Sequence, residues 1–280
     1  MTRTVDNRLI FETVKRLCLK ANIELREDVL SALKAARRKE TGARAKEILG
    51  IIIENASIAK EKKLPICQDT GMTAVYLDIG QSVIVKGDLR KAIEKGVAQA
   101  YKEGYFRKSV VADPLIRKNT NTNLPAIIHM ESVPGRRIRL RVMIKGFGCE
   151  NTSKTRMFRP TEGISKIEDF VVESVREAGS RPCPPVYIGI GIGGTLDKAV
   201  SMSKEAIFRP IGKNSGKPHV KKMEKALLEK INRLNIGPAG VKGGITALGV
   251  SILTYPTHIA GLPVAVNISC HATRTAEKTI

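Results

Sequence analysis

The spacing of the apolar residues changes along the chain, and this change limits the fold more than any other feature. In residues 1–63 apolar side chains recur three and four positions apart, the spacing of one helix face. Beyond residue 63, short apolar runs with the two-residue period of strands alternate with further helical segments. The pattern predicts a mixed α/β fold in one domain of residues 1–280, with a helical subregion at 1–63 and a sheet-bearing α/β core at 64–280.

Five segments of the core are candidate strands, namely TAVYLDI, RRIRLRVMIKG, VYIGIGI, GVSILTY and LPVAVNIS. In RRIRLRVMIKG, cationic and apolar residues alternate. A half-exposed strand has this pattern, because successive side chains point to opposite faces of a sheet. We therefore expect Arg139, Arg141 and Lys145 to face solvent.

The chain is strongly basic, with 48 Lys and Arg against 27 Asp and Glu and a formal net charge of +21. Such an excess can indicate nucleic-acid binding, an anionic substrate or an acidic partner subunit. Aromatic residues make up only 4% of the chain and are not interleaved with the basic segments, as a base-stacking surface requires. We favour a solvated surface and a partner-facing surface, and keep a basic nucleic-acid-binding or scaffold protein as the alternative.

The cellular compartment follows from the termini and the cysteines. No terminal segment has the pattern of a signal peptide, and no apolar run approaches the roughly 20 residues of a membrane helix. The sequence thus predicts a cytoplasmic protein, in which five cysteines do not build a disulfide framework. The cysteines could then be free thiols, a catalytic thiolate or metal ligands.

Cys18 differs from the other four cysteines in its surroundings. It lies on an apolar-periodic helix and is expected in the core, whereas Cys67, Cys149, Cys183 and Cys270 lie in Gly-, Pro- or Asn-rich connections. Turns leave main-chain N–H groups that can bond to thiolate or sulfide, as in iron–sulfur sites. Because the chain lacks C-x-x-C spacing, four unrelated loop thiols stay an alternative, and structural zinc is a weaker one.

The segment GIGIGG, residues 189–194, matches the glycine pattern of dinucleotide-binding turns. That fingerprint also requires an acidic residue about 20 positions later, where this chain reads IGKNSGK. The glycines are better explained by tight packing, or by a helix N-terminus that approaches an anion.

Several segments together resemble the iron–sulfur class of fumarate hydratase in its two-subunit form: PICQDTG, FRKSVVADPL, KGFGCENTS, CPPVYIGIGIGGT, RPIG and YPTHIAGLPVAVNISCHA. They occur in the family's order and cover most of residues 64–272. The resemblance implies an alpha subunit that works with a beta subunit, in a heterotetramer of two alpha and two beta chains. It also implies a 4Fe–4S cluster held by Cys67, Cys183 and Cys270. Cys149 stands where relatives often carry serine, which implies a neighbour of the site and not a ligand.

The resemblance further implies reversible hydration of fumarate to L-malate. Three thiolate ligands leave one iron open, which acts as a Lewis acid toward the hydroxyl and a carboxylate of the substrate. Asp69 then pairs with His258 to serve the hydroxyl as an acid.

Four further residues are implied in substrate binding. Gln68 contacts the substrate, as Asp69 also does, and Arg107 clamps a carboxylate, a task suited to a bidentate guanidinium. Gly146 and Gly148 offer main-chain N–H groups to a carboxylate, although Phe147 interrupts the family's glycine run.

Two features of the sequence leave alternatives open. The segment NTNTNLPAIIH departs from the acidic pattern of the family, so no role is assigned to Asn121 and Asn123. Tartrate dehydratase shares CQDTG and CPP and is the alternative family, while YPTHIAGLPVAVN favours fumarate hydratase. We expect the proton-abstracting base to come from the partner subunit, because nothing after Ile280 supplies it.

Overall fold

The computed structural model describes residues 2–280 and confirms the mixed α/β prediction. The helices are α1 (Asn7–Ile23), α2 (Glu27–Lys39), α3 (Ala43–Lys62), α4 (Leu89–Glu103), α5 (Phe147–Glu150), α6 (Gly163–Ala178), α7 (Leu196–Glu205) and α8 (Pro218–Asn232). The strands are β1 (Arg3–Asp6), β2 (Met72–Gly80), β3 (Val83–Lys86), β4 (Ile127–Val133), β5 (Ile138–Lys145), β6 (Lys154–Phe158), β7 (Val186–Gly193), β8 (Ala247–Tyr255), β9 (Leu262–Ser269) and β10 (Arg274–Thr279). Across residues 2–280, none of the helices has the length and apolar character needed to cross a membrane.

The chain divides into two compact units. The first takes the residues up to Arg26, together with Asn55–Phe147 and Arg274–Ile280, and the second takes Glu27–Glu54 and Gly148–Thr273. The predicted helical subregion contributes to both units, because α1 belongs to the first and α2 to the second.

The first unit is built on a four-stranded sheet in the order β10-β5-β2-β4. Strand β2 is antiparallel to β5 and parallel to β4, with Leu77 opposite both Leu140 and Met130. Helices α1 and α4 pack on each other, and α1 also contacts β5 and β10. Each helix is capped by the aspartate that precedes it, Asp6 or Asp88, whose Oδ1 accepts a main-chain N–H of the first turn. The sheet and the two helices enclose one apolar core.

Strand β5 departs from the half-exposed strand predicted for it. Only Arg139 is exposed, whereas Arg141 and Lys145 are 9% and 7% exposed. Arg141 forms an ion pair of 2.8 Å with Asp78 on β2, and its guanidinium lies 5.5 Å from the ring centre of Tyr76. The prediction was wrong for both residues. Arg141 can be buried because β2 supplies a carboxylate and an aromatic ring. Lys145 lies at the end of β5, where Gly71 closely approaches its main chain.

The second unit contains a four-stranded sheet in the order β6-β9-β7-β8. Strand β7 is parallel to β8 and antiparallel to β9, and Ile190 lies opposite Ile252 and Val266. Helix α7 packs on β7 and β9, and α8 packs on β8 and α6. Apolar residues from these elements form the core of this unit. The basic side chains on α2 and α8 are exposed, as a solvated surface requires: Lys34, Arg37, Arg38, Lys39, Lys221, Lys222, Lys225 and Lys230.

The glycines of GIGIGG bring strand and helix backbones into contact. A Cβ atom on Gly189 would lie 2.1 Å from the carbonyl oxygen of Ser203, and one on Gly191 would lie 2.0 Å from that of Ala199. Gly193, at φ +94°, is equally close to the carbonyl oxygen of Tyr255. Tight packing of α7 on β7 therefore accounts for Gly189 and Gly191, and close approach to the end of β8 accounts for Gly193, because no side chain fits in these contacts.

Candidate functional site

In the first unit, Cys67, Gln68 and Asp69 lie in the turn that connects α3 to β2. Cys67 and Gln68 are exposed and Asp69 is half-buried. The turn ends at Gly71, which has φ +62°, and a Cβ atom there would lie 2.6 Å from the carbonyl oxygen of Lys145. Glycine is thus required both by the conformation and by the close approach of the turn to the end of β5.

The side chain of Asp69 is oriented by main-chain groups. Its Oδ1 accepts the N–H of Gly71 at 2.9 Å, and its Oδ2 accepts the N–H of Phe147 at 2.8 Å. A Cβ atom on Gly146 would lie 2.8 Å from Oδ2 of Asp69, so glycine at this position makes room for the carboxylate. The structure thereby brings together two predicted site residues, Asp69 and Gly146.

Sequence reasoning missed Arg274, which supports the same turn from β10. The side chain is buried, and its Nη1 donates to the carbonyl oxygen of Asp69 at 2.6 Å and to Oδ1 of Asn22 at 3.3 Å. The sequence offers one indication of its role, its position four residues after Cys270 in the segment CHATR. The local sequence pattern does not distinguish an arginine that supports the site from an arginine on the surface. Arg274 therefore fixes the main chain at Asp69.

Arg107 lies in the connection between α4 and β4, and its side chain is exposed. Its carbonyl oxygen accepts a hydrogen bond of 2.5 Å from Oγ1 of Thr70, the residue after Asp69. The main chain at Arg107 is therefore attached to the Cys67–Gly71 turn.

Of the two asparagines left without a role, Asn121 is exposed and Asn123 is fully buried.

In the second unit, the loops that carry Cys183 and Cys270 are joined by a hydrogen bond. Nδ1 of His271 lies 3.0 Å from the carbonyl oxygen of Cys183, which is also 3.5 Å from the main-chain nitrogen of His271. Cys183 has φ +53° and is exposed, and Cys270 is half-buried at the start of a turn closed by Thr273. His271, which sequence reasoning did not select, thus holds the two predicted cluster ligands of this unit near each other.

Cys149 and Gly148 lie beside the same loop. The thiol of Cys149 is buried and lies 3.6 Å from the carbonyl oxygen of Pro182, the residue before Cys183. A Cβ atom on Gly148 would lie 3.0 Å from the carbonyl oxygen of Arg181. Both residues are therefore packed against the Cys183 loop from the side of α5.

His258 occupies the exposed turn between β8 and β9. Its Nδ1 accepts the main-chain N–H of Ala260 at 3.2 Å, an arrangement that assigns the proton of the neutral ring to Nε2. The imidazole thus presents a donor on the side away from its own turn. Its pairing with Asp69 stays a prediction.

The thiols differ in how readily they could serve as ligands. All five cysteines in the described part of the chain are thiols and not disulfides. Burial raises the pKa of the Cys18 thiol far above its usual range and disfavours the thiolate that a metal binds. Cys67 and Cys183 are exposed and Cys270 is half-buried, which suits the soft donors of an iron–sulfur cluster. Among residues 2–280, no group of three or more His, Cys, Asp or Glu side chains could hold a metal ion as placed.

Comparison with known proteins shows the family of the chain. The family model described as fumarate hydratase (Fumerase) matches residues 11–279. A Methanocaldococcus jannaschii protein named putative L(+)-tartrate dehydratase subunit alpha is 43% identical over 279 residues, which are 97% of this chain and 97% of that protein. The L(+)-tartrate dehydratase subunit alpha of Escherichia coli K12 is 29% identical over 266 residues, covering 94% of this chain and 88% of the relative. Matched over nearly its whole length, the chain belongs to the fumarate hydratase (Fumerase) family of hydro-lyases.

Proposed function

We propose that this chain is the alpha subunit of an iron–sulfur hydro-lyase that interconverts fumarate and L-malate by reversible hydration. The observation that carries the proposal is the turn after α3, where the exposed thiol of Cys67 is followed at once by the oriented carboxylate of Asp69. The turn lies in a chain whose residues 11–279 match the fumarate hydratase family. A metal ligand beside a fixed acid–base group is what elimination of water requires.

Cys67, Cys183 and Cys270 would hold a 4Fe–4S cluster. When bound, the cluster supplies a Lewis acid that polarises the C–O bond of the substrate hydroxyl. The accessibility of these three thiols supports the assignment, and so does the hydrogen bond between His271 and Cys183, which keeps two of their loops together. Cys149 is not assigned as a ligand, because its thiol is buried against Pro182.

Asp69 and His258 would handle the proton of the hydroxyl. In dehydration the departing hydroxyl takes up a proton, and in hydration the attacking water gives one up. Donation from the neutral ring would leave an imidazolate, so the proton would come from the imidazolium form of His258. In that form Nδ1 carries a proton, no longer accepts from Ala260, and is available to donate to Asp69. Asp69, with each carboxylate oxygen held by a main-chain N–H, would orient that imidazole and stabilise its charged form.

Gln68, Arg107, Gly146 and Gly148 would bind the rest of the dicarboxylate. The exposed guanidinium of Arg107 can form two parallel hydrogen bonds with one carboxylate, and the exposed Gln68 amide offers a donor and an acceptor. Because the Phe147 N–H already bonds to Asp69, the N–H groups of Gly146 and Gly148 are the ones assigned to the substrate.

A beta subunit is the proposed partner, in a cytoplasmic assembly of two alpha and two beta chains. The relatives are named as alpha subunits, which supports a second kind of chain in the enzyme. The beta subunit would supply the base that abstracts the proton from carbon. With a net charge of +21, this chain is suited to an acidic partner surface.

Tartrate is the second candidate substrate, favoured by the names of the relatives. Tartrate carries hydroxyls on both central carbons, so its site needs a polar group for the second hydroxyl that a malate site lacks. The two candidates share the same reaction class and the same residues of this chain.

The deciding experiment uses both subunits, co-purified and reconstituted with iron and sulfide without oxygen. We expect turnover of L-malate and fumarate by the complex and none by the alpha chain alone, followed by absorbance of the fumarate double bond. Turnover of L(+)-tartrate with none of malate would replace the substrate assignment. Turnover of neither by an iron-loaded complex would overturn the proposed function.

A further inference from the structure

Asn123 is a fully buried polar residue in the connection between α4 and β4, with 0% of its surface exposed. It has φ +61°, a left-handed conformation that asparagine tolerates better than most residues. A buried amide is costly unless both its donor and its acceptor are used. The contacts of Asn123 therefore indicate why it is there.

Both ends of the amide are used, and they join two segments of the candidate site. Oδ1 accepts the N–H of Ser109 at 2.7 Å, and Nδ2 donates to the carbonyl oxygen of Gly71 at 3.1 Å. Ser109 is two residues after Arg107, and Gly71 is two residues after Asp69. The side chain thus connects the segment of the proposed carboxylate clamp to the turn of the proposed acid–base residue.

Three further hydrogen-bond contacts hold this connection in place. Oγ1 of Thr70 donates to the carbonyl oxygen of Arg107 at 2.5 Å, so the two segments are joined on both sides of Lys108. The hydroxyl of the buried Tyr101 lies 2.5 Å from the carbonyl oxygen of Thr70 and 3.2 Å from that of Gly71. Helix α4, which carries Tyr101, thereby fixes the turn to which the Arg107 segment is attached.

We infer that Asn123 is a positioning residue for Arg107. By joining the two segments, Asn123 sets the distance between Arg107, the carboxylate clamp, and Asp69. The inference rests on the proposed function, since it takes Arg107 as the clamp. An exposed arginine on a loose loop loses side-chain and loop entropy when it binds, and holding its main chain in place reduces that cost. A misplaced clamp weakens carboxylate binding without removing any catalytic group.

Asparagine is the residue that meets these demands together. Aspartate could accept from Ser109, but it has no donor for the Gly71 carbonyl and would face that oxygen with a negative charge. Alanine lacks both groups and is strained at this φ, whereas glycine lacks both groups but adopts this φ without strain. Asn123→Gly is therefore the informative variant, because it deletes the hydrogen bonds and keeps the conformation.

Asn121 offers a matched control in the same connection. It is also asparagine, has φ +58°, and its side chain is exposed. In the assembled enzyme, Asn123→Gly should raise KM for malate about tenfold with a smaller change in kcat, while Asn121→Gly should leave KM within about twofold. Equal KM values for the two variants would overturn the inference.

A double-mutant cycle separates positioning of Arg107 from a general loss of structure. If Asn123 acts through Arg107, Asn123→Gly should change KM by less than about twofold in an Arg107→Ala enzyme. A purely structural role would give the same tenfold factor in both backgrounds. That additive result would reject Asn123 as a positioning residue for the clamp.

Hydrogen exchange supplies a readout that does not require turnover. The Ser109 amide should exchange about tenfold faster in Asn123→Gly than in wild type or Asn121→Gly, because it loses its acceptor. Unchanged exchange would overturn the inference even in an active enzyme. If the complex turned over neither substrate while Ser109 exchanged faster, the proposed function would fail and the attachment of the Arg107 segment by Asn123 would stand.

Discussion

Replacing Gly146 with alanine would place a methyl carbon 2.8 Å from Oδ2 of Asp69 and 3.0 Å from Nη2 of Arg274. Carbon does not approach oxygen this closely in folded proteins, so one of the three groups must move. Arg274 is buried and hydrogen-bonded to Asp69 and Asn22, which leaves the half-buried carboxylate as the group that yields. Rotation of the carboxylate would break its 2.8 Å hydrogen bond with the N–H of Phe147.

The magnitude follows from that one hydrogen bond. Hydrogen bonds to charged groups contribute about 1.5–3 kcal/mol, and the partial exposure of Asp69 argues for the lower end. A loss of about 1.5 kcal/mol in orienting Asp69 corresponds to a decrease of kcat/KM by roughly tenfold. The same loss in the free energy of unfolding would lower Tm by about 3–6 °C.

The assay measures kcat/KM for malate and the iron content of the assembled enzyme, and compares both between the variants and wild type. Gly216→Ala is the matched control, because a Cβ atom at Gly216 would have no heavy atom within 4 Å. We expect Gly146→Ala to keep its iron and lose about tenfold in kcat/KM, while Gly216→Ala resembles wild type in both. A Gly146→Ala enzyme with full iron and wild-type kcat/KM would refute the argument that Asp69 must hold this orientation.

Three further predictions concern the cluster, the acid and the pH dependence of stability. Serine in place of Cys67, Cys183 or Cys270 should abolish the bound iron, measured by a chelator assay. The Cys149→Ser enzyme should retain its iron. His258→Asn should keep the cluster absorption but lower kcat by about 10² to 10⁴, and wild-type turnover would return His258 to a plain turn residue. Burial raises the pKa of Tyr101 to about 12, above the value near 10 of an unfolded tyrosine. The protonated phenol is favoured in the folded state. Its contribution to the free energy of unfolding is therefore fully present below pH 10 and is lost between pH 10 and 12. Urea unfolding should show a decrease of about 2–3 kcal/mol over that range in wild type, and a smaller one in Tyr101→Phe.

The elements with a strong apolar period could be predicted from the sequence. Helices α1 to α3 lie in the predicted helical subregion, and strands β2, β5, β7, β8 and β9 coincide with the five candidate strands. Strand β10 was missed because RTAEKT has no apolar period and is a strand only through its pairing with β5. Burial of Arg141 was also missed, since its partner Asp78 lies 63 positions away in the chain.

The candidate site divides in the same way. Residues inside continuous motifs, such as Cys67 to Asp69, could be selected from the sequence because the family resemblance is carried by local runs. The residues that support them could not, because their contacts are made across long stretches of chain. Asn123 meets Gly71 over 52 positions, Arg274 meets Asp69 over 205, and His271 meets Cys183 over 88. Only the fold reveals such pairs.

The contacts of Gly189 and Gly191 with α7 have a consequence for how the second unit can vary among relatives. Where a helix packs through side chains, its position shifts as those side chains change size over evolution. Here the spacing is set by main-chain atoms, which every amino-acid sequence shares. Neighbouring core residues can therefore be exchanged while the turn from β7 into α7, at Gly193–Thr195, keeps its geometry.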